Sequence, residues 1–121
     1  MKSCLTVDDS KVVRKLIIKM LEELNIESRE AENGQVALEE CNKKMPDFIL
    51  LDWNMPVMNG LEFLKIFRSN KSNDNIVIIF CTTENELSKI QEALSNGVNE
   101  YIMKPFDAEV LKNKLIQTGV I

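Results

Sequence analysis

Two stretches of the chain carry no polar residue at all. Phe48-Ile49-Leu50-Leu51 runs straight into Asp52, and Ile76 to Cys81 runs into Thr82-Thr83. A strand with one wet face alternates apolar and polar side chains. An unbroken apolar run of this length fits a strand covered on both faces, the situation in a parallel sheet between two layers of helices.

The rest of the chain supplies those helices. Lys2 to Val7 is a short apolar run and predicts a first strand. Residues 10 to 24 space Val13, Leu16, Ile17, Met20, Leu21 and Leu24 three or four apart, which predicts an amphipathic helix. Ile26 to Ala31 is a second strand. Asn33-Gly34 is a common hairpin pair, but Val36, Ala37, Leu38 and Cys41 after it do not alternate, so a loop into a helix is expected. Asp47 to Asp52 is the third strand. Asn59-Gly60 opens a helix carrying Leu61, Leu64 and Phe67, and residues 70 to 75 form a polar loop. After the fourth strand at Ile76 to Cys81, Leu87, Ile90 and Leu94 mark a helix that Asn96-Gly97 ends. Asn99 to Met103 is a fifth strand, and residues 107 to 118, with Ala108, Leu111 and Leu115, form a last helix.

Five repeats of strand then helix predict an α/β fold, a doubly wound parallel sheet with helices on both faces and right-handed crossovers. The common strand orders of such sheets all place the ligand site outside the carboxyl ends of the strands. A single domain over residues 1–121 is expected, with no output domain attached.

Composition narrows the chemistry. With no histidine, a Ser-His-Asp relay, a Cys-His pair and the common zinc sets are excluded. A net charge of −4 offers nucleic acid no broad basic surface. The longest apolar run falls far short of the ~20 residues that cross a bilayer. The N-terminus has no secretory leader pattern, so a cytoplasmic location is expected. Cys4, Cys41 and Cys81 are odd in number and widely spaced, and read as buried free thiols in a reducing compartment.

In a parallel sheet the strand ends share one edge. Asp8-Asp9, Asp52, Thr82-Thr83 and Lys104 follow four of the strands and gather there. Two carboxylates ~4 Å apart repel by ~4 kcal/mol at a surface-like dielectric. Three therefore call for a cation, and an all-oxygen donor set suits a hard ion such as Mg2+. Magnesium holds phosphate well, and Lys104 adds a positive charge from the other side. An aspartate in such a place can act as a nucleophile toward phosphorus.

Asp8-Asp9, Asp52 within the stretch from Asp52 to Gly60, Thr82 and Lys104-Pro105-Phe106 together resemble the receiver domain of two-component response regulators, over essentially the whole chain. Glu84 and the stretch from Tyr101 to Phe106 bring it nearest to the stand-alone chemotaxis members. The resemblance implies a flavodoxin-like sandwich with strand order 2-1-3-4-5. It implies Asp52 as phospho-acceptor, with Mg2+ held by the side chains of Asp9 and Asp52, the carbonyl of Asn54 and, through water, Asp8. It implies that Lys104 and Thr82 bind the phosphoryl group, that Thr82 and Tyr101 form the switch, and that Asn54 and Glu84 tune self-dephosphorylation. The implied partners are a histidine kinase as donor, an output protein on the face of helix four, strand five and helix five, and a phosphatase. No nucleic acid, membrane or stable oligomer is expected.

Finer expectations accompany this. Ser10 or Asp9 caps the first helix. Thr83 with Glu86 has the spacing of a capping box. Trp53 lies exposed beside the site, Tyr101 is half-buried, and Thr83 adds bulk where the family usually has alanine or glycine. The peptide before Pro105 is a candidate for cis geometry. Against the phospho-switch stand two other readings. An Asp-nucleophile phosphatase needs Asp-x-Asp after the first strand, and a flavin site needs a hydroxyl- and glycine-rich loop there; Asp8-Asp9-Ser10 is neither. An interaction domain that had lost phosphorylation would lack Asp52, Lys104 or one of the acidic pair. A receiver acting in a relay outside chemotaxis keeps every one of these residues.

Overall fold

The structure, a computed structural model, describes residues 2–121. Five strands, β1 (Ser3–Val7), β2 (Glu27–Ala31), β3 (Phe48–Leu51), β4 (Val77–Thr82) and β5 (Glu100–Met103), form one sheet. All pairings are parallel and the order is β2-β1-β3-β4-β5. The helices are α1 (Lys11–Glu23), α2 (Gly34–Lys43), α3 (Gly60–Ser69), α4 (Ile90–Ser95) and α5 (Ala108–Gln117). The expected doubly wound α/β fold is therefore the one adopted, with strand bounds shifted by one residue at most ends.

Side chains alternate across the sheet. Leu5, Val7, Ile49, Leu51, Ile78 and Phe80 point to the face where Ala37 and Cys41 of α2, Phe63, Leu64 and Phe67 of α3, and Ala93 of α4 meet them. Cys4, Phe48, Leu50, Ile79, Cys81 and Ile102 point to the other face, against Ile17 and Leu21 of α1 and Leu111 and Leu115 of α5. Residues 48–51 are no more than 1% exposed, because both faces of β3 are covered. Burying each of Phe48, Phe63 and Phe80 contributes on the order of 1.5–3 kcal/mol. The three cysteines are buried and free.

Helix starts are set by short polar side chains. Ser10, Asn33, Asn59 and Asp107 each accept a backbone N–H of the helix they precede. Asn59 and Glu62 form a reciprocal capping box.

The fourth helix departs from the sequence expectation. It splits into a 3-10 segment, Glu84–Lys89, and the short α4. Leu87 and Leu94, which helical spacing predicts as core, are each 42% exposed. The 3-10 turn advances three residues per turn rather than 3.6, so the two halves do not share one apolar stripe. Leu16 of α1 is also outside the core, at 54% exposed. No helix among the described residues is long and apolar enough to cross a membrane.

Candidate functional site

Register builds the site. Val7 lies beside Leu51, Leu51 beside Phe80, and Thr82 beside Met103. The strands all run one way, so the residues after them emerge along one edge. Two further ladder bonds hold that edge together: Asp52 N–H to the Val7 carbonyl at 2.9 Å and Lys104 N–H to the Thr82 carbonyl at 2.6 Å.

Asp8, Asp9 and Asp52 offer carboxylate oxygens that all lie within 4.8 Å of one another. Asp8 and Asp52 are buried and Asp9 is exposed. Asp8 Oδ1 accepts the Ser10 N–H at 2.8 Å, and Oδ2 accepts Lys104 Nζ at 3.1 Å. Asp52 Oδ1 accepts the Trp53 N–H at 2.9 Å and Lys104 Nζ at 3.4 Å. No protein donor reaches Asp52 Oδ2 among the described residues, and no buried side-chain oxygen there lacks a partner, so Oδ2 opens to solvent.

The charges are unbalanced. Burial pushes the Asp52 carboxyl up to about 6; Lys104 and the Trp53 N–H oppose this, while Asp8 and Glu86 add to it. Burial works against the Lys104 ammonium, but Asp52 and Asp8 outweigh it and hold that group above its ordinary range. Three carboxylates against one ammonium leave the pocket negative. Its donors are all oxygens, a set that fits a hard divalent cation. The Asn54 carbonyl accepts no backbone hydrogen bond among the described residues.

The other predicted site residues flank this core. Thr82 is buried, and its hydroxyl donates to the Thr83 carbonyl at 3.1 Å. Tyr101 is half-buried, with Lys114 Nζ 5.0 Å from its ring centroid. Glu84 is exposed on the 3-10 segment. Lys104-Pro105 is cis. Gly60 is required by close approach: a Cβ there would strike the Asp52 carbonyl oxygen.

Two local expectations are corrected. Trp53 is buried, at 4% exposure, because its ring folds back against Phe80 with centroids 5.2 Å apart. Thr83 stands at the N-terminus of the 3-10 segment but makes no side-chain cap. Its hydroxyl donates to Glu86 Oε1 at 3.1 Å instead, which is neither of the two bonds of a capping box.

Two residues not expected at the site reach it. Arg14 is buried on α1, donates to the Asp8 carbonyl at 2.6 Å and pairs with Glu30 at 2.7 Å. Its signal was a charge in the buried stripe Arg14, Ile17, Leu21. Glu86 is buried and accepts the Asn54 side-chain amide at 3.0 Å. Its capping-box spacing pointed to the backbone, whereas the fold turns it toward Asn54.

Comparison with known proteins agrees with this geometry. The response regulator receiver domain model matches residues 4–116. The chain is 44% identical over 113 residues to chemotaxis protein CheY1 of Helicobacter pylori, covering 92% of this chain and 91% of that protein. It is 43% identical over 113 residues to a CheY homologue of Campylobacter jejuni, covering 92% and 87%. The solved structure of the chemotaxis response regulator CheY4 of Vibrio cholerae superposes with a TM-score of 0.89 at 35% identity over 98% of both chains. An acidic triad and a lysine at the ends of a 2-1-3-4-5 sheet, in a chain matched almost end to end, place this protein in the response regulator receiver domain family.

Proposed function

We propose that the chain is a receiver that takes a phosphoryl group from a histidine kinase onto Asp52 and passes the signal on by reshaping its surface. One observation carries this reading. A buried aspartate with an oxygen open to solvent shares a pocket with two further carboxylates and lies 3.4 Å from a lysine ammonium.

Each residue then has a task. Asp52 is the nucleophile, and a carboxyl at about 6 is mostly ionised at neutral pH. The P–N bond of the donor phosphohistidine breaks, a P–O bond to the Asp52 carboxylate forms, and the imidazole nitrogen takes up a proton. Asp9 and Asp52 would hold Mg2+ by side chain, Asn54 by its carbonyl and Asp8 through water. When bound, the ion supplies positive charge that offsets the carboxylates and orients the phosphoryl oxygens. Lys104 pairs with the incoming group, and the Thr82 hydroxyl turns from the Thr83 carbonyl to donate to it. Tyr101 follows into the space vacated, changing the face formed by α4, β5 and α5 where an output protein binds. Asn54 and Glu84 set how fast water removes the phosphoryl group, alone or with a phosphatase.

The similarity to chemotaxis proteins along nearly their full length supports a cytoplasmic chemotaxis role. Acetyl phosphate with Mg2+ should add one phosphoryl group by intact mass, and Asp52→Asn should abolish the addition. Labelling at another residue would overturn the assignment.

A further inference from the structure

Glu86 holds a position that none of the tasks above explains. It lies on the 3-10 segment and is 8% exposed. Its carboxylate turns inward. Oε2 accepts Asn54 Nδ2 at 3.0 Å, Oε1 accepts Thr83 Oγ1 at 3.1 Å, and its own N–H donates to the Thr83 carbonyl at 2.9 Å. These bonds tie the loop after β3, which carries Asp52, to the loop after β4. No lysine or arginine pairs with Glu86 among the described residues. Both carboxylate oxygens meet neutral donors, so no cation offsets the charge of Glu86. It is also felt next door, since its charge helps raise the Asp52 carboxyl.

A phosphoryl group on Asp52 replaces the one carboxylate charge with up to about two on the phosphoryl oxygens, a net gain of about one negative charge in the same pocket. Glu86 then has two courses. It keeps its bridge and repels the new group, or it swings out, releases Asn54 and Thr83, and loosens the first turn of the segment that leads to α4. Either course favours the unphosphorylated arrangement.

We propose that Glu86 is a positioning residue that gates phosphoryl acceptance, its unpaired carboxylate bridging Asn54 and Thr83 across the mouth of the site and opposing the arrival of an anion at Asp52. This rests on Asp52 being the acceptor. The bridge acts as a brake in the resting protein. It also gives the 3-10 segment a reason to exist, because that turn is what brings the Glu86 side chain under Thr83 and over to Asn54.

The test uses beryllofluoride as the probe, with saturating Mg2+ and the full chain, and reads affinity by calorimetry. Glu86→Gln keeps an acceptor oxygen and removes the charge; it should bind about tenfold tighter than wild type at low salt. That ratio should shrink to about two- or threefold near 1 M salt, where charges are screened. A role in packing alone would not make the ratio depend on salt. Thr83→Val removes one anchor and leaves the charge free to move away, so a smaller gain, about two- to threefold, is expected. Equal affinity of wild type and Glu86→Gln, or a ratio unchanged by salt, overturns the gate and leaves the acceptor reading standing. If Glu86→Gln loses its fold by circular dichroism, weaker binding by Thr83→Val than by wild type overturns the gate. Failure of every protein, wild type included, to bind the probe overturns the acceptor reading and the gate with it.

Discussion

Asp52 weakens the fold that presents it. Burial, Asp8 and Glu86 hold its carboxyl at about 6 despite Lys104, against ~3.9 in an unfolded chain. A carboxyl that binds its proton more readily when folded subtracts stability once it ionises. The penalty is absent below about pH 4, grows between the two values and is complete above pH 6. Metal-free Asp52→Asn is therefore expected to be more stable than wild type by roughly 1–3 kcal/mol at pH 7, and no different near pH 4, by urea unfolding at both pH values. Val57 is a second strained residue: β-branched, 80% exposed and at φ 68° in the loop after β3. Val57→Gly should raise stability by about 1 kcal/mol, since the side chain costs on the order of 1–2 kcal/mol in that region. Unchanged or lower stability would show that the side chain makes a compensating contact. Asp52 and Lys104 were legible in the sequence because each directly follows a strand. The burial of Trp53 was not, because Phe80 comes from a different strand.

At the scale of elements, the segment from Glu84 to Ser95 is the weak part of the sandwich. A six-residue 3-10 run is long for that geometry, and α4 has six residues and no side-chain cap. Leu87 and Leu94 face outward, leaving Ala93 as the buried anchor of α4. Backbone amides of residues 84–95 are expected to exchange hydrogen at least about tenfold faster than those of α1 and α5, which a native-state exchange series by mass spectrometry or NMR would measure. Equal protection would mean that this segment opens only with the whole domain. The strands and most helices could be read from apolar runs, spacing and caps, which are local properties. The split of the fourth helix could not. Its spacing fits one continuous helix, and the contact of Glu86 with Asn54 that accompanies the break joins residues from different loops.

For the whole molecule, ion binding and folding are linked, because the three acids meet only when β1 and β3 are paired. A cation that binds the folded chain alone stabilises it by mass action, about 2.7 kcal/mol at a hundredfold excess over Kd. Millimolar MgCl2 should raise Tm by several degrees, and Asp9→Asn should reduce that rise. An equal rise in wild type and variant would remove Asp9 from the ion's ligands. The sequence by itself determined the order of strands and helices, the doubly covered β3 and β4, and which polar residues stand at the strand ends, because hydrophobic periodicity and end positions are written along the chain. Only the tertiary structure decided that Arg14 grips the Asp8 carbonyl, that Trp53 folds inward, and that Glu86 rather than Glu84 closes over Asn54. The Trp53 and Glu86 contacts join residues far apart in the chain, the Arg14 contact turns on how α1 packs back on the end of β1, and which partners meet depends on the register of the sheet and the packing of its two faces.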